Sequence, residues 1–340
     1  MVGKSVECFK HEAGRMTKTF LKSLIVRKMR RSRRSATAGF TLLELLIVSL
    51  ISGLLISGLM YLVVELLTAD QRESSRTETQ RDMQMAMDYM STELKEAVYV
   101  YSGACIAGVA SSGCPAAGLA ASLPTAVSTN STPVLAFWKQ QLIPSDLRNQ
   151  CANGTQAADV PCIVGSSYSL VVYSLSTANT GSTWQGRARI TRYALTQFTG
   201  TTRTAGYGEP SPSNFGGWTS LGGRAGGTPA VLVDFVDNSV GANTVVGTGN
   251  LICPPDYLPS PVLAASSMTV APAAKSFFAC VNNLSLSSTP YRDVVLFLRG
   301  SVSGRPGFRD ADRAFLPALE ARVLTRGVLE RKPASSTGNF

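Results

Sequence analysis

Three regimes of hydrophobic patterning follow one another in the first third of the chain. From Phe40 to Leu67 the residues are apolar or small, with Glu44 and Glu65 as the only charges. The next stretch, TADQRESSRTETQRD (68–82), has Ala69 as its only apolar residue. Met83, Met87, Met90, Leu94 and Val98 then recur at spacings of 4, 3, 4 and 4, the period of a helix with one buried face. No proline falls between Phe40 and Tyr101. The pattern predicts one long helix from Phe40 to about Val98, a membrane half (40–67) followed by a continuation (68–100). The apolar half alone is about 42 Å long, more than the ~30 Å of bilayer hydrocarbon. Its polar middle must bridge solvent or be held by partners. Met85 and Tyr89 fall off the stripe and form a second face, and the methionines read as packing, not as a ligand box.

Beyond Tyr101 the pattern changes to short β-like runs between loops rich in Ala, Gly, Ser and Thr. The runs are VLAFWK (134–139), SYSLVVYSL (167–175), RARITRYAL (187–195), AVLVDFVD (230–237), SFFACV (276–281), DVVLFLRG (293–300) and ARVLTRGVL (321–329). An antiparallel sheet laid against the C-terminal half of the helix fits them, so the expected class is α+β. Alternation in ARITRYAL predicts a sheet face in water. The Gly-rich segment 206–227 reads as an exposed loop, and 331–340 as a flexible tail. The exported β-rich domain is expected over 101–330.

Charge alters this picture at one end only. Residues 1–39 hold eleven Lys and Arg against Glu7 and Glu12, which is 11 − 2 = +9 of the net +10. The body is nearly neutral, which argues against a nucleic-acid-binding role. Positive charge keeps the leader in the cytoplasm, so everything after Leu67 is expected on the far side of a single-pass inner-membrane anchor. No A-x-A-like site follows the apolar run, so the anchor reads as retained.

Candidate chemistry is sparse. His11 is the only histidine and lies in the leader, which leaves the body without Ser-His-Asp or Cys-His catalysis. No phosphate-binding or nucleophile-elbow motif occurs, so the expectation is a non-enzyme with no catalytic residues, cofactor or metal. Asp310 and Asp312, flanked by Arg309 and Arg313, read as a solvated charged turn, not a calcium loop. Of Arg187, Arg189 and Arg192, two alternate on one strand face, which reads as a solvated face, with a weak patch for DNA or an acidic polysaccharide as the alternative. A membrane-anchored enzyme built on an acid pair is the remote alternative.

Six cysteines follow the leader: Cys105, Cys114, Cys151, Cys162, Cys253 and Cys280. An even set in an exported domain points to disulfides, and six allow fifteen connectivities. Joining sequence neighbours is the simplest, with unpaired buried thiols as the alternative.

The stretch GFTLLELLIVSLISGLL (39–55) resembles the type III signal of type IV pilins and pseudopilins. The resemblance implies that a membrane aspartyl prepilin peptidase cuts between Gly39 and Phe40 and methylates the Phe40 amine. It also implies that Glu44, now fifth in the mature chain, pairs with the N-terminal amine of a neighbouring subunit during assembly. A carboxylate in hydrocarbon needs such a partner. The implied partners are the peptidase, other pilins or pseudopilins and the assembly platform, and the implied destination is a pilus, pseudopilus or the cell surface. The implied fold is pilin-like, a long N-terminal helix packed on an antiparallel sheet.

A second resemblance rests on DYMSTELKEAVYVY, PVLAFWKQQLIP, YSLVVYSL, WQGRARITRYAL and DVVLFLRG, spread over 88–300. Together they are similar to the C-type pseudopilin of the cyanobacterial hormogonium polysaccharide secretion group. That likeness implies a minor subunit serving polysaccharide export and gliding motility. The alternatives are a DNA-uptake or adhesive minor pilin and a type II secretion pseudopilin.

Overall fold

The computed structural model describes residues 41–109, 113–129, 131–157, 159–178, 183–211, 214–238, 253–262, 276–282, 293–308 and 315–325. The leader, Gly39, Phe40, the acids at 310 and 312 and the tail 331–340 fall outside the described residues. The chain divides into two units, Met1–Leu66 and Leu67–Phe340.

Helix α1 spans Leu42–Lys95, so its first turns belong to the first unit and the rest to the second. It stops short of the expected Val98. Glu96 forms a turn, and Ala97–Val100 is strand β1, with Ala97 opposite Lys139 and Val100 opposite Phe137. The β-branched and aromatic residues of AVYV favour that pleated edge over another helical turn. Val98 packs with the cluster around Trp138, not with the helix stripe.

In the second unit, the latter part of α1 packs on two antiparallel sheets. After the short helices α2 (Gly103–Ala107) and α3 (Thr125–Ser128) come β2 (Ser131–Leu142), helix α4 (Ser145–Asn153), β3 (Ser166–Ser176) and β4 (Ala188–Leu195). A two-residue ribbon follows, β5 (Phe198–Thr199) with β6 (Thr202–Arg203), and then β7 (Ala230–Val236). The first sheet runs β1-β2-β3-β4-β7. The second contains β8 (Tyr257–Ser260), β9 (Phe277–Asn282), β10 (Asp293–Arg299) and β11 (Ala318–Leu324), in the order β11-β10-β9-β8. All seven sequence runs overlap strands. The described part of the last ends at Leu324, well short of 329. Strands β1 and β8, the β5–β6 ribbon and α4 carry no comparable signal in the sequence.

The main core lies between the sheets. Met83, Met87, Met90 and Leu94 of α1 meet Phe137, Val171, Tyr173 and Ile190 from one sheet and Phe277, Leu296 and Leu298 from the other. The far face of the first sheet is buried as well. Ala136, Trp138, Leu170, Val172 and Tyr193 pack there against Tyr101, Leu119, Leu123, Tyr207 and Trp218. A strand covered on both faces reads as a continuous apolar run, which accounts for SLVVYSL in β3.

Two expectations are thereby corrected. The segment 206–227 is not simply an exposed loop: Tyr207, Trp218 and Ala225 are buried. The Trp218 indole N–H donates to the Gly208 carbonyl at 2.7 Å, and the Tyr207 hydroxyl donates to the Tyr168 carbonyl at 2.8 Å. Nor does ARITRYAL present a face to water. Arg189 is buried beside Asp234 at 3.6 Å, and Arg192 is engaged by Glu93, so neither belongs to an open basic patch.

Candidate functional site

The functional candidates begin at the start of α1. Thr41 is the last non-helical residue before Leu42, and its side chain acts as a cap. The Glu44 amide donates to Thr41 Oγ1 at 3.3 Å and to the Thr41 carbonyl at 3.0 Å. A Thr three residues ahead of a Glu satisfies an otherwise orphaned amide, and an acid in the first turn suits the positive end of the helix dipole. The helix is thus encoded to start two residues past the Gly39–Phe40 junction, with Glu44 in its first turn.

From there to Leu67 every side chain of the isolated chain is exposed, including Leu42 at 89% and Leu54 at 68%. Among the described residues this is the one helix long and apolar enough to cross a membrane. Gly53 and Gly58 face open space, where an added methyl group would meet nothing within 4 Å. Nothing in this chain's own packing demands glycine at either place.

Residues 34–60 match the family described as the prokaryotic N-terminal methylation motif. The chain carries a pilin-like N-terminus. A motif of this class implies processing by a prepilin peptidase and assembly with other pilins, and with the apolar helix it describes a membrane-anchored chain. It spans both Gly39 and Phe40, which are outside the described residues, and Glu44, which the structure places in the first helical turn. No curated protein and no solved structure matches the chain.

The six body cysteines form three disulfides between sequence neighbours: Cys105–Cys114, Cys151–Cys162 and Cys253–Cys280. Their Cα separations, 5.4 to 5.6 Å, are ordinary for the bond. Each staples a loop to a packed cluster. Cys105 sits with Tyr101 and Trp138, Cys151 and Cys162 flank Leu147 and Phe198, and Cys280 lies beside Phe278 and Val295.

The strongest electrostatic feature lies in the last turns of α1 and has no signature in the sequence. Glu93, 6% exposed, accepts from Arg192 Nε at 2.9 Å and from the second guanidinium nitrogen. Lys139 Nζ stands 3.0 Å from the same carboxylate, and the Tyr173 hydroxyl donates to it. Burial pushes the Glu93 carboxyl up. Hydrogen bonds from Arg192 and Tyr173, the Arg192 charge and the Lys139 ammonium outweigh that effect and hold it at about 2. Burial, then the Glu93 hydrogen bond, drives the Tyr173 phenol far above its ordinary range. A carboxylate satisfied from three strands is a clamp: it fixes α1 to β2, β3 and β4 together.

The off-stripe residues Met85 and Tyr89 are about half exposed, at 52% and 47%. They line a groove of about 420 Å³ with Leu232 and Val233 of β7, bounded by Asp82 and Asp234. Arg305 and Arg189 already hold those two acids.

Proposed function

We propose that the chain is a minor pilin or pseudopilin of a type IV pilus-like machine, non-enzymatic, and assembled through its N-terminal helix. The observation that carries the reading is the methylation motif at 34–60 running straight into an exposed apolar helix with Glu44 in its first turn. Cleavage after Gly39 leaves a charged amine on Phe40, close to Glu44 in sequence. In a bundle of such helices the acid of one subunit pairs with the amine of its neighbour, which offsets part of the cost of holding either charge in hydrocarbon. Gly53 and Gly58 let a second helix approach closely. The leader stays in the cytoplasm, the domain after Leu67 lies in the periplasm, and the assembled subunit reaches the pilus, pseudopilus or cell surface.

The body beyond α1 has two sheets, three disulfides and covered faces on the first sheet, more than a bare repeating subunit needs. That favours a low-abundance position. The likeness of its strand blocks to the C-type pseudopilin of the hormogonium polysaccharide secretion group supports polysaccharide export and gliding as the process served. The internal engagement of Arg189 and Arg192 favours that reading over DNA uptake.

The test is in cells. Intact mass of the membrane form should begin at Phe40 with one added methyl group, and Glu44→Gln should leave that mass pattern intact while removing the subunit from sheared surface fractions. Deleting the gene should lower secreted polysaccharide and stop gliding. A mature N-terminus beyond Leu67 would overturn the anchored reading. Unchanged secretion and motility in the deletion strain would overturn the process assigned.

A further inference from the structure

The burial stripe of α1 does not begin at Met83, where its apolar residues begin. It extends two turns earlier through Thr79 and Ser75, which are 0% and 4% exposed. The segment Gly300–Phe308 after β10 meets this stretch of the helix. The Ser75 hydroxyl donates to the Pro306 carbonyl at 2.8 Å, and Arg72 Nε donates to the Gly307 carbonyl at 3.0 Å. Arg305, itself 5% exposed, reaches back to Glu78 at 2.6 Å and to Asp82, with its guanidinium 4.2 Å from the Phe235 ring. Arg76 lies over Phe308 and Phe315 at 5.7 and 5.4 Å. The strap is braced from behind, since the Ser301 amide donates to the Phe235 carbonyl at 2.7 Å and the Gly300 amide to the Pro317 carbonyl at 2.8 Å.

This grip differs in kind from the one a few residues further on. Residues 83–94 are held by methionine and leucine side chains between two sheets, a contact that salt does not weaken. Residues 72–82 are held by hydrogen bonds and by ion pairs whose acids are partly in water, Glu78 at 62% and Asp82 at 32% exposure. With Arg305 itself buried, salt screens these pairs less than it would an open surface pair, but it reaches their exposed acids, a dependence that the apolar grip lacks. We infer that the strap 300–308 is a releasable latch: it opens and frees residues 72–80 of α1 while 83–94 stay clamped in the core. The inference stands independently of the processing and assembly reading.

Gly307 offers a direct handle. Its φ is +81°, and an added Cβ would stand 3.0 Å from Arg72 Cγ and 3.1 Å from the Arg72 amide nitrogen. Gly307→Ala therefore pushes strap and helix apart at one point. Arg305→Gln removes the ionic hold and keeps much of the side chain's length.

The experiment is amide exchange followed by mass spectrometry on the full chain in detergent micelles. In the wild type, exchange over 72–80 should rise about three- to tenfold between low salt and 1 M NaCl, while 83–94 and β2–β4 stay protected. Either variant should give the faster exchange already at low salt. Salt-insensitive protection over 72–80 in the wild type would overturn the latch. So would loss of protection spreading through 83–94 together with 72–80, because the two stretches would then be one cooperative unit. The wild-type salt series needs no substitution to fold.

Discussion

Arg192 grips the Glu93 carboxylate with two nitrogens, joining the last turns of α1 to β4 of the five-stranded sheet. Lys139 and Tyr173 complete the cage. The clamp sets how far the helix can rotate on the sheet, because a turned helix would leave Glu93 buried without its partners.

Glu93→Gln should be among the most damaging single changes in the domain. Removing one partner of a buried pair costs about 3–5 kcal/mol, chiefly through the charges left behind. Tyr173→Phe, which removes a single hydrogen bond to a charged group, should cost about 1.5–3 kcal/mol. Urea unfolding of each variant, compared with wild type, measures both. Equal and small effects would show that the cage is slack.

The same clamp fixes a pH response. The Glu93 carboxyl is held near 2 in the folded chain, below its ordinary 4.5. Its contribution is therefore fully present above about 4.5 and is lost as pH falls from there through about 2. Thermal melts from pH 7 down to 2 should show that loss in the wild type. In Glu93→Gln the part due to this residue should be absent.

Gly39→Ala should block processing. On the proposed reading the cut follows Gly39, so replacing that residue should leave the uncut precursor to accumulate in the membrane. Immunoblots of membrane fractions distinguish it from the mature form by size. Normal maturation of the variant would place the junction elsewhere.

Breaking Cys253–Cys280 should cost more than breaking either of the other bridges. The closed loops differ in length, with separations of 27, 11 and 9 residues, and the restriction placed on the unfolded chain grows with loop length. Paired Cys→Ala changes should each cost about 2–4 kcal/mol in that order, read from denaturation midpoints. Non-reducing peptide mapping should recover three linked pairs.

Trp218→Ala tests whether the Gly-rich segment is part of the core. Trp218 stacks edge-on against Trp138 at 5.4 Å between ring centroids and is 5% exposed. Its removal should cost about 3–5 kcal/mol. A change below about 1 kcal/mol would return the segment to the class of surface loops.

The legible parts of this fold are those where one period dominates. Met83, Met87, Met90 and Leu94 announce their buried face by spacing, and the seven strand runs announce themselves by apolar content. Legibility fails where tertiary partners override local chemistry. Ser75 and Thr79 continue the buried face as polar residues because Pro306 and Arg305 wait for that stretch of helix more than 200 residues later. Arg189 and Arg192 sit in a run, ARITRYAL, that alternates like a wet strand, yet each enters the interior on an acid supplied from elsewhere, Asp234 and Glu93. Trp218 and Tyr207 lie among glycines, whose turn-forming signal hides two anchoring rings. At the N-terminus the methylation motif over residues 34–60 is readable from local sequence, because it is a contiguous pattern that needs no distant partner. The Glu93 cage is not, because its members are scattered over 93, 139, 173 and 192.

The three disulfides also have an order in time. Each joins a cysteine to the next one along the chain. If the domain emerges from a translocation channel N-terminus first, Cys114 arrives when Cys105 is the only body thiol ahead of it. Once that bond closes, Cys162 meets only Cys151, and Cys280 later meets only Cys253. The fifteen pairings open to six free thiols shrink to three successive encounters with one choice each. A reduced, unfolded chain released all at once has no such queue. It must sort its partners by trial, so recovery from denaturant should give mixed isomers where emergence in sequence order gives one.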